Sequence, residues 1–124
     1  MASPTKSDVV RSVFAAYQSR DRGVVEHLLS DDFTFTSPYD DAIDRSTYFE
    51  RCWPSSERIR TFDVERIFEQ GTGAFVTYRI INDDGREFRN TEFHSFDGDK
   101  IRSVDVYFGA CYQNGAFVKQ QSWS

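Results

Sequence analysis

The spacing of apolar residues changes from a helical period to a two-residue period near Arg58, and this change constrains the fold most. Before it, Val9, Val13 and Tyr17 fall on one helical face, which predicts an amphipathic helix. After it, apolar and charged residues alternate, and turn signals divide the chain into strands. Helices first and hairpin-connected strands afterwards predict an α+β domain whose helices pack on one face of a curved antiparallel sheet.

Capping and turn residues set the predicted boundaries. Thr5 and Asp8 have the spacing of a capping box at the start of the first helix. Because a sheet of this kind must curve to close over its helices, its concave side is expected to hold a pocket. The further predicted elements are a helix at 24–29 after a break at Gly23, a turn at Asp31-Asp32, a strand at 33–36, a loop at 37–41, a helix from Asp44 to Cys52 closed by Pro54, strands from 58, at 74–81, 87–96 and 100–108, and a polar tail.

Length and charge narrow the classes of function. A chain of 124 residues is one domain on ordinary size grounds. A net charge of −5 without a basic run argues against nucleic acid and against an anionic membrane surface. No secretory h-region and no membrane-spanning stretch are present, so we expect a cytoplasmic protein. Cys52, Cys111 and the two histidines have no metal-ligand spacing, so we expect reduced thiols and no metal site.

Four sequence strings resemble one known superfamily when taken in their order and spacing. They are VVRSVFAAY at 9–17, LLSDDFTFTSP at 28–38, FHSFDG at 93–98 and KIRSVDVYFG at 100–109. Together they resemble the NTF2-like superfamily, in particular its SnoaL-like and ketosteroid-isomerase-like branches. The resemblance implies a single NTF2-like domain over 1–124, with a curved sheet wrapped around N-terminal helices and a central hydrophobic pocket. Because this fold hosts many functions, activity must be argued from the pocket residues.

The resemblance also implies where catalytic groups of such isomerases would lie. Their aspartate base falls on Ser37 here, and their tyrosine falls near Val13. Their protonated aspartate falls on Glu92, which keeps the carboxyl group. SnoaL-like cyclases carry acidic groups on the last strands, where this chain has Val106. Steroid isomerase activity as such is therefore not expected.

Glu92 and His94 are the catalytic pair that the sequence singles out. Residues two apart on a strand point to the same face, and the resemblance turns that face toward the pocket. A carboxylate beside an imidazole in a partly apolar pocket can act as a general acid or base near neutral pH. The alternative is that both residues lie on the outer face and pair with Arg89 or Arg102.

Asp40 is a further candidate base near the predicted pocket mouth. It follows Pro38, and it either reaches inward or belongs with Asp41 to a solvated turn. The other predicted pocket residues come from separate elements and are mostly apolar or aromatic, although the tyrosines among them are also typical of an ordinary core. They are Val13, Tyr17, Phe35, Ser37, Tyr39, Trp53, Phe62, Val64, Val106 and Phe108.

The resulting hypothesis is a SnoaL-like protein that binds a small apolar or aromatic molecule. It would act without a cofactor as an isomerase, cyclase or lyase, and the alternative is a non-catalytic ligand-binding or protein-assembly module. Apolar residues on both faces of the last strands predict a homodimer through the sheet, as is usual in the family. The two predicted sets are Phe75, Ile81, Ile101 and Tyr107 on one face, and Val76, Ile80, Val104 and Phe108 on the other.

Overall fold

A computed structural model describes residues 4–118, which form three α-helices, one 3₁₀ helix and seven strands. In chain order these are α1 (Lys6–Ser19), α2 (Arg22–Leu28), β1 (Leu29–Ser37), β2 (Asp40–Asp44), α3 (Arg45–Arg51), the 3₁₀ helix (Trp53–Arg58), β3 (Ile59–Gln70), β4 (Gly73–Asn82), β5 (Arg86–Asp97), β6 (Lys100–Gln113) and β7 (Ala116–Val118). The predicted α+β class is confirmed.

The strands form one curved sheet that does not close on itself, in the order β2-β1-β6-β5-β4-β3, with β7 added to β6. Strand β1 runs parallel to β6, whereas the other pairs are antiparallel. The sheet is therefore mixed: the predicted curved sheet is confirmed, and its β1–β6 pair is parallel rather than antiparallel. The alternation of side chains reports which face they occupy but carries no information about strand direction.

Helix α1 packs on β3 and β4 and supplies much of the core. Its capping box is present: the Thr5 hydroxyl accepts from the Asp8 N–H at 3.0 Å, and the Asp8 carboxylate accepts from the Thr5 N–H at 3.1 Å. The helix buries the stripe expected from its period, namely Val9, Val10, Val13, Phe14, Ala16 and Tyr17. Because this stripe meets the concave face, the cavity described below lies between α1 and the central strands.

Two predicted breaks lie elsewhere in the structure. Helix α1 ends at Ser19, its C-cap residue Arg20 adopts a left-handed conformation with φ of 60°, and Gly23 lies inside α2. Asp31 and Asp32 are not a turn but exposed positions of β1, where Asp32 accepts from the Ser30 hydroxyl at 2.7 Å. Strand β1 therefore begins four residues earlier than predicted.

Two short strands were not predicted. The loop expected at 37–41 is the turn of a hairpin in which Ser37 opposes Asp40, and β2 follows it. Beyond Gly109, β6 continues to Gln113 and turns at Asn114-Gly115 into β7. Both turn residues have positive φ, 54° and 78°. An Asn-Gly pair is a strong hairpin signal, so the polar tail carried a clue that the prediction did not use.

The two faces of the sheet differ in exposure. Phe68, Phe75 and Tyr107 on the outer face are 69%, 48% and 59% exposed. Ile101 was expected beside them but is fully buried, because an irregularity in the β5–β6 register sets Ile101 opposite Phe96 on the core side. Within the described part of the chain, no helix combines the length and apolar character needed to cross a bilayer.

Candidate functional site

Glu92 and His94 both point from β5 into the core. Their exposed fractions are 9% and 1%, and His94 Nε2 lies 3.0 Å from Glu92 Oε1. The alternative of an outer-face pairing fails, because Arg89 binds Glu65 at 2.8 Å and Arg102 lies 3.7 Å from Asp32. The chain thus holds an imidazole and a carboxylate in contact beneath the helices.

A chain of hydrogen bonds fixes the Glu92 carboxylate from behind. The Tyr78 hydroxyl donates to Glu92 Oε2 at 2.5 Å, and Asn90 Nδ2 donates to the Tyr78 oxygen at 3.4 Å. Burial and the neighbouring Glu92 raise the pKa of Tyr78 well above its usual value, so the phenol remains a donor. Neither Tyr78 nor Asn90 was singled out from the sequence.

Gly109 holds Asn90, the last residue of this chain of hydrogen bonds, in position. The β5–β6 register shifts between Phe88 and Asn90, and the Gly109 N–H donates to Asn90 Oδ1 at 3.1 Å. A Cβ on Gly109 would lie 1.8 Å from the Arg89 carbonyl oxygen, a distance that no side chain tolerates. The bulge therefore requires glycine, and it orients the Asn90 amide toward Tyr78.

The second ring nitrogen of His94 has no partner. Nδ1 is buried and makes no hydrogen bond to any of residues 4–118. An ionised Glu92 accepts a hydrogen bond, so it selects the tautomer that carries its hydrogen on Nε2. Nδ1 is then left with a free lone pair. An unpaired buried polar atom is rare in folded proteins and marks a place where a ligand or a water binds.

His94 and Glu92 line a cavity of about 70 Å³ between α1, α3 and the sheet. The predicted residues Val13, Tyr17, Phe35 and Phe62 also line it. Rings fill much of the surrounding space, since Phe14 stacks on Phe62 with centroids 4.4 Å apart. The remaining wall residues are Phe14, Leu29, Phe33, Tyr48, Cys52, Tyr78, Ile80, Ile101 and Val104.

The other predicted pocket residues lie outside this inner cavity. Trp53 packs behind it against Tyr17, with ring centroids 4.8 Å apart, and Val64 is half-buried on β3. Tyr39 is 44% exposed, and its ring packs against that of Phe108 with centroids 5.5 Å apart. Three predicted residues line a separate cleft of about 400 Å³ along β1 and β6, namely Ser37, Val106 and Phe108.

Tyr17 and Tyr48 form a buried hydroxyl pair on the cavity wall. Their hydroxyl groups are hydrogen-bonded to each other, and burial raises the pKa of both. Both phenols are therefore neutral and able to donate. Only one of the two O–H groups is used between them, so the other is free to donate to a ligand oxygen.

Asp40 is buried rather than part of a solvated turn. Its side chain is 2% exposed, its Oδ1 lies 2.8 Å from Arg51 Nη2, and its Oδ2 accepts from the Ser37 hydroxyl at 3.1 Å. Asp41 is exposed, as a turn residue would be. Asp40 faces a second space, an outer cleft of about 370 Å³, which is lined by Asp40, Arg51, Cys52, Pro54, Ser55, Arg58 and Asn82.

Cys52 borders both the inner cavity and the outer cleft. Burial, and next the charge of Asp40, raise the pKa of its thiol to about 12, with Glu92 adding a smaller effect in the same direction. The thiol is therefore protonated and a poor nucleophile. Cys52 and Cys111 are both free, and no three metal-ligating side chains come together within residues 4–118.

Comparison with solved structures finds the same fold in proteins of low sequence identity. An NTF2-like protein from Cytophaga hutchinsonii superposes with a TM-score of 0.71 at 21% identity, over 87% of this chain and 93% of that chain. AclR, a candidate hydroxylase from Streptomyces galilaeus, gives 0.72 at 11% identity, over 84% and 74%. A de novo designed protein with a curved β-sheet gives 0.75 at 13% identity, over 88% of each chain.

The family comparison rests on the sequence itself. The sequence matches none of the curated proteins with which it was compared. The family model described as the SnoaL-like domain matches residues 10–104, which is most of the chain and includes the Glu92–His94 pair. The chain belongs to the SnoaL-like domain family, and its fold is that of the NTF2-like protein from Cytophaga hutchinsonii.

Proposed function

We propose that this protein binds a small substrate and moves a proton on it by general acid–base catalysis, without a cofactor. Its SnoaL-like fold is that of a small-molecule-binding domain. The observation that carries the proposal is the state of His94, whose Nε2 is held by Glu92 while Nδ1 is buried without a partner at the cavity wall. A base that is oriented by a carboxylate through one ring nitrogen, and whose other nitrogen has no hydrogen-bond partner, is the arrangement that proton abstraction needs.

The proposed step removes a proton from the carbon beside a substrate carbonyl. His94 Nδ1 takes the proton, and Glu92 stabilises the positive charge that develops on the imidazole. The free O–H of the Tyr17–Tyr48 pair donates to the carbonyl oxygen as it gains negative charge. Return of the proton from His94 to a different carbon completes an isomerisation. If the enolate instead expels a leaving group, the proton from His94 passes to that group and the result is an elimination. If the enolate carbon attacks a second carbonyl of the substrate, the proton passes to the new alkoxide and the result is a cyclisation.

Asp40 has a supporting part in this proposal. Both of its oxygens are engaged, one by Arg51 and one by Ser37, so it is poorly placed to accept a substrate proton. It instead holds Arg51 at the wall of the outer cleft. His94 is therefore the one of the three candidate catalytic residues that we propose as the base, with Glu92 as the group that orients it.

Deuterium exchange tests the proposal without knowledge of the natural substrate. Small cyclic, aromatic and acidic ketones are incubated with the protein in D₂O, and deuterium at the carbon beside the carbonyl is followed by NMR. We expect catalysed exchange that falls by about 10²–10⁴-fold in His94→Gln and is also lost in Glu92→Gln, with ligand binding retained. His27→Gln is the matched control, because His27 is exposed on α2. Exchange that is unchanged in His94→Gln contradicts the proposal.

A second candidate function is a non-catalytic module that assembles through its sheet. The exposed aromatic side chains of Phe68, Phe75 and Tyr107 favour it, because such a face suits a homodimer interface. We propose that two copies pair through this face and bury more than about 1,000 Å² in total. Light scattering tests the pairing: wild type should be dimeric at micromolar concentration, and Phe75→Lys should be monomeric. A monomeric wild type contradicts it.

A further inference from the structure

The sizes of the two spaces decide which part of a ligand each can hold. The inner cavity, at about 70 Å³, is well below the ~150 Å³ cavity that accommodates benzene. It therefore takes a single narrow group rather than a ring. The outer cleft, at about 370 Å³, falls within the range of roughly 300–1,000 Å³ typical of small-molecule sites. The bulk of a ligand belongs in the outer cleft.

The two spaces meet at Cys52. Its side chain is the wall residue that they share. The thiol also lies close enough to an acidic group on each side to interact with its charge, since Asp40 from the outer cleft and Glu92 from the inner cavity both raise the pKa of Cys52. Cys52 is thus the side chain that lies between a ligand in the outer cleft and the Glu92–His94 pair.

The polar groups of the outer cleft are mainly hydrogen-bond donors. Arg51 and Arg58 come from α3 and the 3₁₀ helix, and Asn82 comes from the end of β4. Among the residues that the structure describes, Asp40 is the only acidic side chain of this wall, and Arg51 and Ser37 already occupy its oxygens. The wall therefore offers positive charge and N–H groups to whatever enters.

Arg58 is the cation best able to change partner. Its guanidinium lies 3.8 Å from Asp83 and 3.1 Å from Asp84, and its side chain is 42% exposed. Exposed ion pairs of this kind contribute little free energy, so a ligand anion can compete for the guanidinium. Arg51 keeps one nitrogen on Asp40 but has further N–H groups, because a guanidinium has five donors.

We infer that the ligand is a small organic acid whose carboxylate pairs with Arg58 and Arg51 in the outer cleft, and whose narrow uncharged end, such as a ketone, passes Cys52 and reaches His94. The inference deepens the proposed function, on which it rests for the catalytic role of His94. The binding of the acid does not depend on that role. It also modifies the expectation of a small apolar or aromatic ligand, because the inferred ligand carries a charged end and a ring does not fit beside His94.

Binding of matched acids and amides tests the charge requirement. The probes are 4-oxopentanoate and 5-oxohexanoate, each compared with its neutral amide by ligand-observed NMR. We expect the acids to bind at least about tenfold more tightly than the amides, and Arg58→Gln to remove most of this preference. Arg60→Gln is the matched control, since Arg60 bonds the Asp83 carbonyl but does not line the cleft. Arg51→Gln is avoided because it would leave Asp40 buried and unpaired.

The ring signals of the two histidines test the passage past Cys52. We expect 4-oxopentanoate to shift the His94 signals and to leave those of exposed His27 unchanged, whereas acetate, which is too short to span the two spaces, moves neither. Equal affinity for acids and amides, no acid binding at millimolar concentration, or full acid preference in Arg58→Gln each overturns the inference. If the acids bind but no deuterium exchange is catalysed, the proposed catalysis is wrong and this inference stands. If neutral ketones exchange in a His94-dependent way but acids are not preferred, this inference is wrong and the proposed catalysis stands.

Discussion

At the residue scale, the Glu92 carboxyl group lies between apolar side chains on the two neighbouring strands. Val76 on β4 and Val106 on β6 are its partners in the strand register. A buried carboxylate costs several kcal/mol unless it is hydrogen-bonded, and here both oxygens have partners in Tyr78 and His94. The energy of this carboxylate therefore depends on two specific contacts, which mutations can remove one at a time.

Replacement of Tyr78 with Phe tests the first contact. It keeps the ring that packs on Phe14 but leaves Glu92 Oε2 and Asn90 Nδ2 without their shared partner. We expect the free energy of unfolding to fall by about 1–3 kcal/mol, as measured by urea denaturation. Tyr39→Phe is the control and should change it by less than about 0.5 kcal/mol, because Tyr39 is exposed. Equal effects of the two changes would show that Tyr78 does not support Glu92.

At the element scale, the β5–β6 bulge links strand geometry to the site. Gly109→Ala should destabilise the protein by more than about 2 kcal/mol, because its Cβ overlaps the Arg89 carbonyl oxygen and the backbone must move. Gly23→Ala should instead stabilise it by about 0.4–1 kcal/mol, since the new Cβ meets nothing closer than 3.6 Å within α2. Thermal or urea unfolding gives both values, and a mild effect at Gly109 would mean that the bulge adapts.

The same scale shows what the sequence could predict. The helical period of the apolar residues and the capping box predicted α1. The two-residue spacing of Glu92 and His94 predicted that both point to the same face, and the same spacing also places Asn90 on that face. The bulge near Arg102 that buries Ile101 and the parallel pairing of β1 depend on contacts distant in sequence. Tyr78 was missed for that reason: only the β4–β5 register sets it opposite Asn90. Cavity size was also beyond the pattern, because it depends on how side chains pack.

At the scale of the whole molecule, three buried tyrosines should make the fold sensitive to alkali. Burial raises the pKa of Tyr17, Tyr48 and Tyr78, so these phenols stay protonated in the folded chain. The unfolded chain releases their protons near pH 10, which means that it binds fewer protons than the folded chain and that stability falls as pH rises. The slope should approach about 1.4 kcal/mol per pH unit for each tyrosine.

Urea denaturation across alkaline pH measures this slope. In Tyr48→Phe the slope should be smaller by the amount that corresponds to roughly one proton, because one buried phenol is gone. Tyrosinate absorbance gives an independent reading: the three buried tyrosines should ionise only as the protein unfolds. Full ionisation of every tyrosine in the folded protein would contradict the closed arrangement of the cavity wall.

The account depends above all on which nitrogen of His94 is free. Long-range ¹H–¹⁵N NMR of the imidazole rings measures this directly, and His27→Gln assigns the signals because the chain has only two histidines. At a pH where the His94 ring carries one proton, we expect that proton on Nε2, toward Glu92, and a bare lone pair on Nδ1. A proton on Nδ1 would contradict the account, because the nitrogen proposed to accept the substrate proton would then already be occupied.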